Sequence, residues 1–225
     1  MSTLSNVQTR RGEPIPPSVR FTPDAFPEAK SSRTGVSVRY VLDPDKSWYV
    51  FRASYGREDK ASDVLVDDGT YTYIAKRYVE RYIRGKRKRF LQTLIPNLLF
   101  AYTTKDKAEA YVNATPELSY LSYYYNHFVV NEEHKNPPLT VSCVEMSEFV
   151  KTTCSKNKHL LFIEPSRCHY KTGETVTVVG GPFRGVVGKV ARVLGQQRVV
   201  VSLTHIGLIS TAYIPSAFLQ KQNSE

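Results

Sequence analysis

From Gly173 to about Gln220 the chain is a succession of short β-branched runs broken by glycine. Thr175-Val176-Thr177-Val178-Val179 is the first, Gly185 to Leu194 the second, Arg198 to Leu203 the third and Ile206 to Ile214 the fourth. Pro215 to Leu219 closes the block as a helical turn. Short gaps such as Gly195-Gln196-Gln197 leave room only for tight turns between antiparallel neighbours. About five short strands in roughly 50 residues predict a small β-barrel. Valine dominates these strands, and its stiff χ1 favours strand over helix. No fold-switching C-terminal domain is therefore expected.

One loop of this block has a particular residue order: Gly180-Gly181-Pro182-Phe183-Arg184-Gly185-Val186-Val187-Gly188-Lys189-Val190. Gly181 and Gly185 suit a sharp loop, because glycine takes positive φ without steric cost. Gly188 inside an apolar strand indicates a tight bend. Pro182 stiffens the loop, and Phe183 is free to pack into it. No G-x-x-x-x-G-K-[ST] pattern is present and no helix follows, so the loop is not a phosphate cradle.

The preceding residues read as a second, mixed unit. Trp48 to Arg52 is an aromatic strand. Arg57 to Asp68 is a helix with Gly69 as its stop. Tyr71 to Ile83, Leu94 to Tyr102 and Leu118 to Tyr125 are further strands, and Asp106 to Asn113 is a short helix. Ser142 and Glu145 have capping-box spacing, followed by Met146, Phe149, Val150 and Thr153 at helical intervals. The fold class is thus α+β. Its parts are a flexible extension over 1–46, an α/β sandwich over 47–155, a linker over 156–172 and the barrel over 173–225. The extension holds six of the chain's 13 prolines; Val36, Val38 and Tyr40 alternate weakly, as in an edge strand, and the rest shows no apolar period.

Charge is concentrated. The net charge is +10, and Lys76 to Arg89 carries eight cations against the single anion Glu80. Arg81, Arg84, Lys86, Arg87, Lys88 and Arg89 surround Gly85, which marks a hairpin tip. Tyr78 and Tyr82 are interleaved with them. Such a segment is suited to neutralising phosphates, and its tyrosines to stacking on bases. The alternative is a solvated hairpin with no partner.

Other chemistry is excluded or unsupported. No apolar run approaches the roughly 20 residues of a membrane span. No secretory signal is read at the N-terminus, and three cysteines make no disulfide framework, which points to the cytoplasm. Cys154, His159, Cys168 and His169 lack zinc-site spacing, so no metal or cofactor is expected. His127, His134 and His205 are isolated. No hydrolase, zinc-protease or kinase signature occurs, and the chain is not expected to be an enzyme.

Three stretches in order carry a family resemblance. They are Trp48-Tyr49-Val50 with Tyr55-Gly56-Arg57-Glu58; Gly85-Lys86-Arg87-Lys88-Arg89-Phe90 with Leu94-Ile95-Pro96-Asn97-Leu98-Leu99-Phe100; and Gly181-Pro182-Phe183 with Gly185, Gly188 and Val190. From about Ser47 the chain resembles the NusG family of transcription elongation factors, an NGN domain followed by an SH3-like KOW barrel. Within it the chain is most similar to the UpxY-type antiterminators of capsular polysaccharide operons. The resemblance implies a monomeric factor that docks on the clamp helices of RNA polymerase and suppresses pausing. Trp48, Tyr49, Tyr55, Pro96, Leu98 and Phe100 would line or flank the docking depression. Trp48 and Phe100 are equally readable as core. Asn97 and Leu98 depart from the glycine and aromatic residue usual there. The basic hairpin would meet upstream DNA or nascent RNA. The KOW domain, with Gly181, Pro182, Phe183, Arg184, Gly185, Gly188 and Val190, would recruit a ribosomal protein, a termination factor or RNA. The competing expectation is a ribosomal RNA-binding KOW protein, which would not need the region of Tyr55 and Leu98.

Overall fold

The first folded unit is organised by β3, Ser47–Ala53, whose alternating side chains enter two different cores. Before it come two short strands, β1 (Ala29–Lys30) and β2 (Ser37–Val38). After it come α1 (Glu58–Asp67), β4 (Tyr71–Tyr73), β5 (Lys76–Ile83), β6 (Lys86–Thr93), β7 (Leu98–Thr103), α2 (Lys105–Asn113) and β8 (Leu121–Tyr123). Then follow β9 (Thr140–Val141), α3 (Cys143–Cys154), β10 (Leu161–Ile163), β11 (His169–Val178), β12 (Val187–Val193), β13 (Gln196–Leu203), β14 (Gly207–Tyr213) and β15 (Leu219–Lys221). This computed structural model describes residues 26–132, 134–154, 157, 159–163 and 169–222.

The first sheet is antiparallel, in the order β4-β7-β3-β8, with β9 also paired to β3. On one face Phe51, Ala53, Leu99 and Ala101 pack with Ala61 and Leu65 of α1 and Ala108 and Tyr111 of α2. On the other, Trp48, Val50, Leu98 and Phe100 join Met146, Phe149 and Val150 of α3. This is an α+β sandwich with three helices, as expected. The start of α3 follows the capping signal only in part. Glu145 N–H donates to Ser142 Oγ at 3.2 Å, but the Glu145 carboxylate accepts from Ser142 Oγ and from Thr204 Oγ1 instead of returning to the Ser142 backbone.

Tyr71 to Ile83, expected as one strand, divides. Ile74 and Ala75 separate β4, which stays in the sheet, from β5, which leaves it and pairs with β6 alone. Tyr, Val and Ile suit both halves, and only the loss of burial beyond Lys76 distinguishes them.

Residues 26–46 are not a flexible extension. Phe26 stacks on Tyr40 with ring centres 4.2 Å apart, and Tyr40 stacks on Trp48 at 5.5 Å. Tyr71 closes the cluster edge-on and donates its hydroxyl to Pro27 O at 2.5 Å. Ser32 N–H donates to Asp63 at 2.7 Å, and the Arg33 guanidinium reaches Asp67 at 3.0 Å and Glu117 at 3.1 Å. The acidic end of α1 is thereby neutralised by the strap, and by Lys107, which pairs with Asp68 at 2.8 Å. Burying a large apolar side chain contributes about 1.5–3 kcal/mol. Two aromatic anchors therefore hold a segment whose apolar alternation is confined to Val36, Val38 and Tyr40, where β2 pairs with β1. The remainder of the expected extension, 1–25, lies outside the described residues.

The C-terminal unit is a six-stranded antiparallel sheet in the order β10-β14-β13-β12-β11-β15. It is not a closed barrel: β10 and β15 each have one partner and are the two ends of the ladder. Both ends come from segments expected to be irregular, the linker and the closing helical turn; the turn itself forms at Ser216–Phe218. Val176, Val178, Val190, Val199, Val201 and Ile209 belong to the same continuous core as α3. Ala191, Val193, Val200, Leu208 and Ile163 form a smaller cluster on the opposite face. The expected linker is thus partly structure, since Leu160 is fully buried and β10 extends the sheet; residues 155–156, 158 and 164–168 lie outside the description.

Candidate functional site

The turn between β3 and α1 combines an exposed aromatic side chain with left-handed backbone. Tyr55 adopts φ 62° and ψ 32°, the left-handed region, although it is not glycine. The residue is 87% exposed. A non-glycine residue held there costs of order 1–3 kcal/mol and persists only where its surroundings fix it. Three hydrogen bonds do so. Gly56 N–H donates to Asn97 Oδ1 at 2.9 Å, Ala53 N–H to Asn97 O at 2.9 Å, and Ser54 N–H to Tyr120 O at 3.0 Å. Asn97 itself has φ 63°. It therefore supplies both the left-handed backbone that a glycine would take and a side-chain acceptor that a glycine lacks. The Arg57 guanidinium lies 5.5 Å from the Tyr55 ring centre and 4.9 Å from that of Tyr120. Glu58 opens α1 below this turn and is buried, its charge favourably placed at the helix N-terminus.

The six residues expected around a docking depression do not share a surface. Trp48, Leu98 and Phe100 are buried together in the core against α3 and the strap. Tyr49 points to the opposite face of β3, half-buried beside Phe51 and Tyr123. The period-2 alternation of a strand forbids Trp48 and Tyr49 from lining one groove. Tyr55 and the exposed Pro96, flanking Asn97, remain at the surface. Asn97 and Tyr120 were not among the expected site residues. The signal for Asn97 was its place where glycine is usual; for Tyr120 no local signal existed.

The basic segment is an eight-residue ladder on each strand, from Lys76 opposite Thr93 to Ile83 opposite Lys86. Arg84 and Gly85 both take positive φ, 50° and 72°, as the mirror-image two-residue hairpin turn requires. Arg81, Arg84, Lys86, Arg87, Lys88 and Arg89 are all exposed. The base of the ribbon is anchored by Leu94 N–H to Ala75 O at 2.8 Å and by Arg77 Nη1 to Leu160 O at 2.9 Å.

The glycine loop of the C-terminal unit folds around Phe183, which is 2% exposed. Gly181 and Gly185 take φ 77° and 87°, and Gly185 N–H donates to Val178 O at 2.7 Å. At Gly188 a Cβ would lie 2.6 Å from Val200 O, so this glycine permits close packing of β13 on β12. Val190 is buried; Pro182 and Arg184 are exposed. The unit is fastened to α3. Glu148, nearly buried, accepts from Val187 N–H at 2.8 Å and pairs with Lys151 at 2.7 Å. Phe128, on the loop after β8, stacks on His205 at 4.7 Å.

No catalytic constellation is assembled by these surfaces, and no cluster of three potential metal ligands occurs among the described residues. Cys143 and Cys154 lie on α3 and are in no disulfide among the described residues; burial pushes the Cys143 thiol up, against the hydrogen bond from Tyr40, which lowers it. Cys168 lies outside the described residues. No helix among the described residues is long and apolar enough to cross a membrane.

Residues 46–150 match the NusG family model, described as transcription termination factor nusG. The matched segment runs from the start of β3 into α3 and contains the Tyr55 turn, the basic ribbon and the whole first sheet. The match covers 105 of the 225 residues, and the likeness is confined to that segment. The C-terminal sheet and the strap before residue 46 lie outside the match. No curated protein matches the chain.

Proposed function

We propose that this protein is a non-catalytic regulator of transcription elongation that docks on RNA polymerase through the surface around Tyr55 and Pro96. The match of residues 46–150 to the NusG family supports this reading most directly. An exposed aromatic ring on a strained turn, held by hydrogen bonds to the segments that precede β7 and β8, is a rigid projection suited to an apolar docking contact. In this reading docking suppresses pausing and termination, within a particular operon such as one for capsular polysaccharide. The basic ribbon contacts nucleic acid beside the polymerase, and the C-terminal sheet, carrying the KOW-like loop, recruits a second partner. The interface is tested by capture of purified bacterial RNA polymerase at low and high salt with wild type and Tyr55→Ala. Retention that survives high salt and is lost in Tyr55→Ala supports apolar docking. Capture that vanishes with salt and ignores Tyr55 overturns it and favours a charge-driven RNA-binding protein.

A further inference from the structure

The eight cations of the basic segment are not equivalent. Lys76 pairs with Asp59 at 2.5 Å. Arg77 donates to the Leu160 carbonyl. Arg87 is ion-paired with Glu80. The Arg89 guanidinium lies over the Tyr78 ring, 3.7 Å from its centre. These four are engaged within the molecule. Arg81, Arg84, Lys86 and Lys88 make no ion pair with a described residue.

Register then separates the two sets in space. Directly opposed residues of an antiparallel pair share a face. Tyr78–Leu91, Glu80–Arg89 and Tyr82–Arg87 form one face, and Val79–Phe90, Arg81–Lys88 and Ile83–Lys86 the other. The first face carries both tyrosines, the anion and the two engaged arginines. The second carries three of the four remaining cations, with Arg84 at the tip and no acidic residue.

We propose that the ribbon holds nucleic acid through this second face alone, and that its ligand is the phosphate backbone of a duplex rather than an unstacked single strand. Single-strand binders place aromatic platforms and cations in one groove, so that bases stack while phosphates are neutralised. Here Tyr82, 77% exposed, stands on the face opposite the available cations, and Tyr78 is covered by Arg89. A strand laid on the cationic face finds only the partly exposed Phe90 ring to stack on. A duplex offers phosphates without requiring stacking, and binding to them carries no sequence information. Lys86 and Lys88, two residues apart, are spaced by about 6.6–6.8 Å along their strand, and Arg81 faces Lys88 at about 5 Å between Cβ atoms, which makes a compact patch for adjacent phosphates. The inference rests on the nucleic-acid part of the proposed function and is independent of polymerase docking.

The test uses the full chain without polymerase. Fluorescence anisotropy measures binding to a short mixed-sequence DNA duplex, and to one of its strands alone, across a salt series. The duplex is expected to bind more tightly. Arg81→Gln with Lys88→Gln is expected to flatten the log–log salt slope for duplex by about 0.9 for each phosphate left without its cation. Arg87→Gln with Arg89→Gln is expected to leave that slope unchanged. Tryptophan fluorescence confirms that both doubles are folded. Equal flattening in the two doubles would overturn the one-faced assignment. Tighter binding of the single strand, abolished in Tyr82→Ala, would overturn the duplex assignment. Absence of binding to either probe would overturn both and leave polymerase capture to be judged by its own experiment.

Discussion

Asn97 Oδ1 accepts the backbone N–H of Gly56 at 2.9 Å, and so ties the loop before β7 to the turn that raises Tyr55. The two segments are 41 residues apart in sequence. Two left-handed residues, Tyr55 and Asn97, thus brace each other through one side-chain amide. Asn97→Gly keeps the backbone conformation but deletes the acceptor, a loss of about 0.5–1.5 kcal/mol. Asn97→Ala adds the left-handed penalty of roughly 1–2 kcal/mol. The expected order of stability is Asn97, then glycine, then alanine, measured by urea unfolding. Hydrogen exchange at the Gly56 amide should accelerate in both variants. An unchanged Gly56 amide would show that the turn is held by other bonds.

Trp48 is the chain's sole tryptophan and lies beneath Tyr40 and Phe26, so its emission reports on the strap. Asp67 fastens that strap. The Thr34 hydroxyl, followed by Ser31 and Arg33, holds its carboxyl below the usual range. Glu28 is lowered by Ser37 and Arg39 in the same way. A depressed carboxylate contributes fully above its unfolded value of about 3.9 and loses that contribution as pH falls through its lower folded value. Trp48 emission should therefore be flat from neutral pH to about 4.5 and shift to the red only below about 4. Asp67→Asn should weaken the acid dependence. A transition centred near pH 6 would assign the strap's stability to other groups.

The tip of the ribbon and the spans of α1 and α2 were legible in local patterns: Gly85 among cations, Gly69 after an apolar face, and short periodic runs. Of the strap only the weak alternation of Val36, Val38 and Tyr40 around β2 was legible; its anchoring was not, because Phe26 and Tyr40 are single anchors 14 positions apart whose partner is Trp48. Neither a 2 nor a 3.6 period arises from such spacing. The break at Ile74 was hidden for the opposite reason: residue types are similar on both sides, and tertiary burial alone separates them. At the site, the positional match singled out Tyr55 but grouped it with Trp48 and Phe100, since an aromatic residue in a strand reads alike whether it faces core or partner. The division of the cations was beyond any linear reading, because it depends on cross-strand register and on the partners Asp59 and Leu160.

Gly188 and Gly185 have different reasons to be glycine, and alanine separates them. At Gly188 a Cβ meets the Val200 carbonyl oxygen at 2.6 Å and Val199 Cγ1 at 2.7 Å. A backbone atom cannot swing aside, so β13 must shift, and overpacking of this kind costs about 1–3 kcal/mol. At Gly185 nothing lies within 4 Å, but φ is 87°. Gly185→Ala should cost roughly 1–2 kcal/mol from backbone strain alone and leave the packing intact. Chemical shifts of β13 amides should move in Gly188→Ala and stay in place in Gly185→Ala. Matching shift patterns would mean that one mechanism governs both positions.

Glu148 decides how firmly the C-terminal sheet is joined to α3. Its carboxylate belongs to a residue 7% exposed, with Lys151 on one oxygen and Val187 N–H on the other. Glu148→Gln retains an acceptor for Val187 and loses the charge facing Lys151. Glu148→Ala removes both and leaves a part-buried amide and an ammonium without their partner. An unsatisfied buried group costs about 1–3 kcal/mol, and more when charged, so alanine should be the worse variant. The local consequence is sharper than the global one. β12 begins at Val187, and its first amides should exchange faster in Glu148→Ala while those of β3 keep their protection. Because Val199, Val201 and Ile209 remain packed in the core continuous with α3, the sheet should stay docked in the glutamine variant. Limited proteolysis after α3 measures this: cleavage should rise in the order wild type, Gln, Ala. Equal cleavage in all three would assign the junction to apolar packing alone.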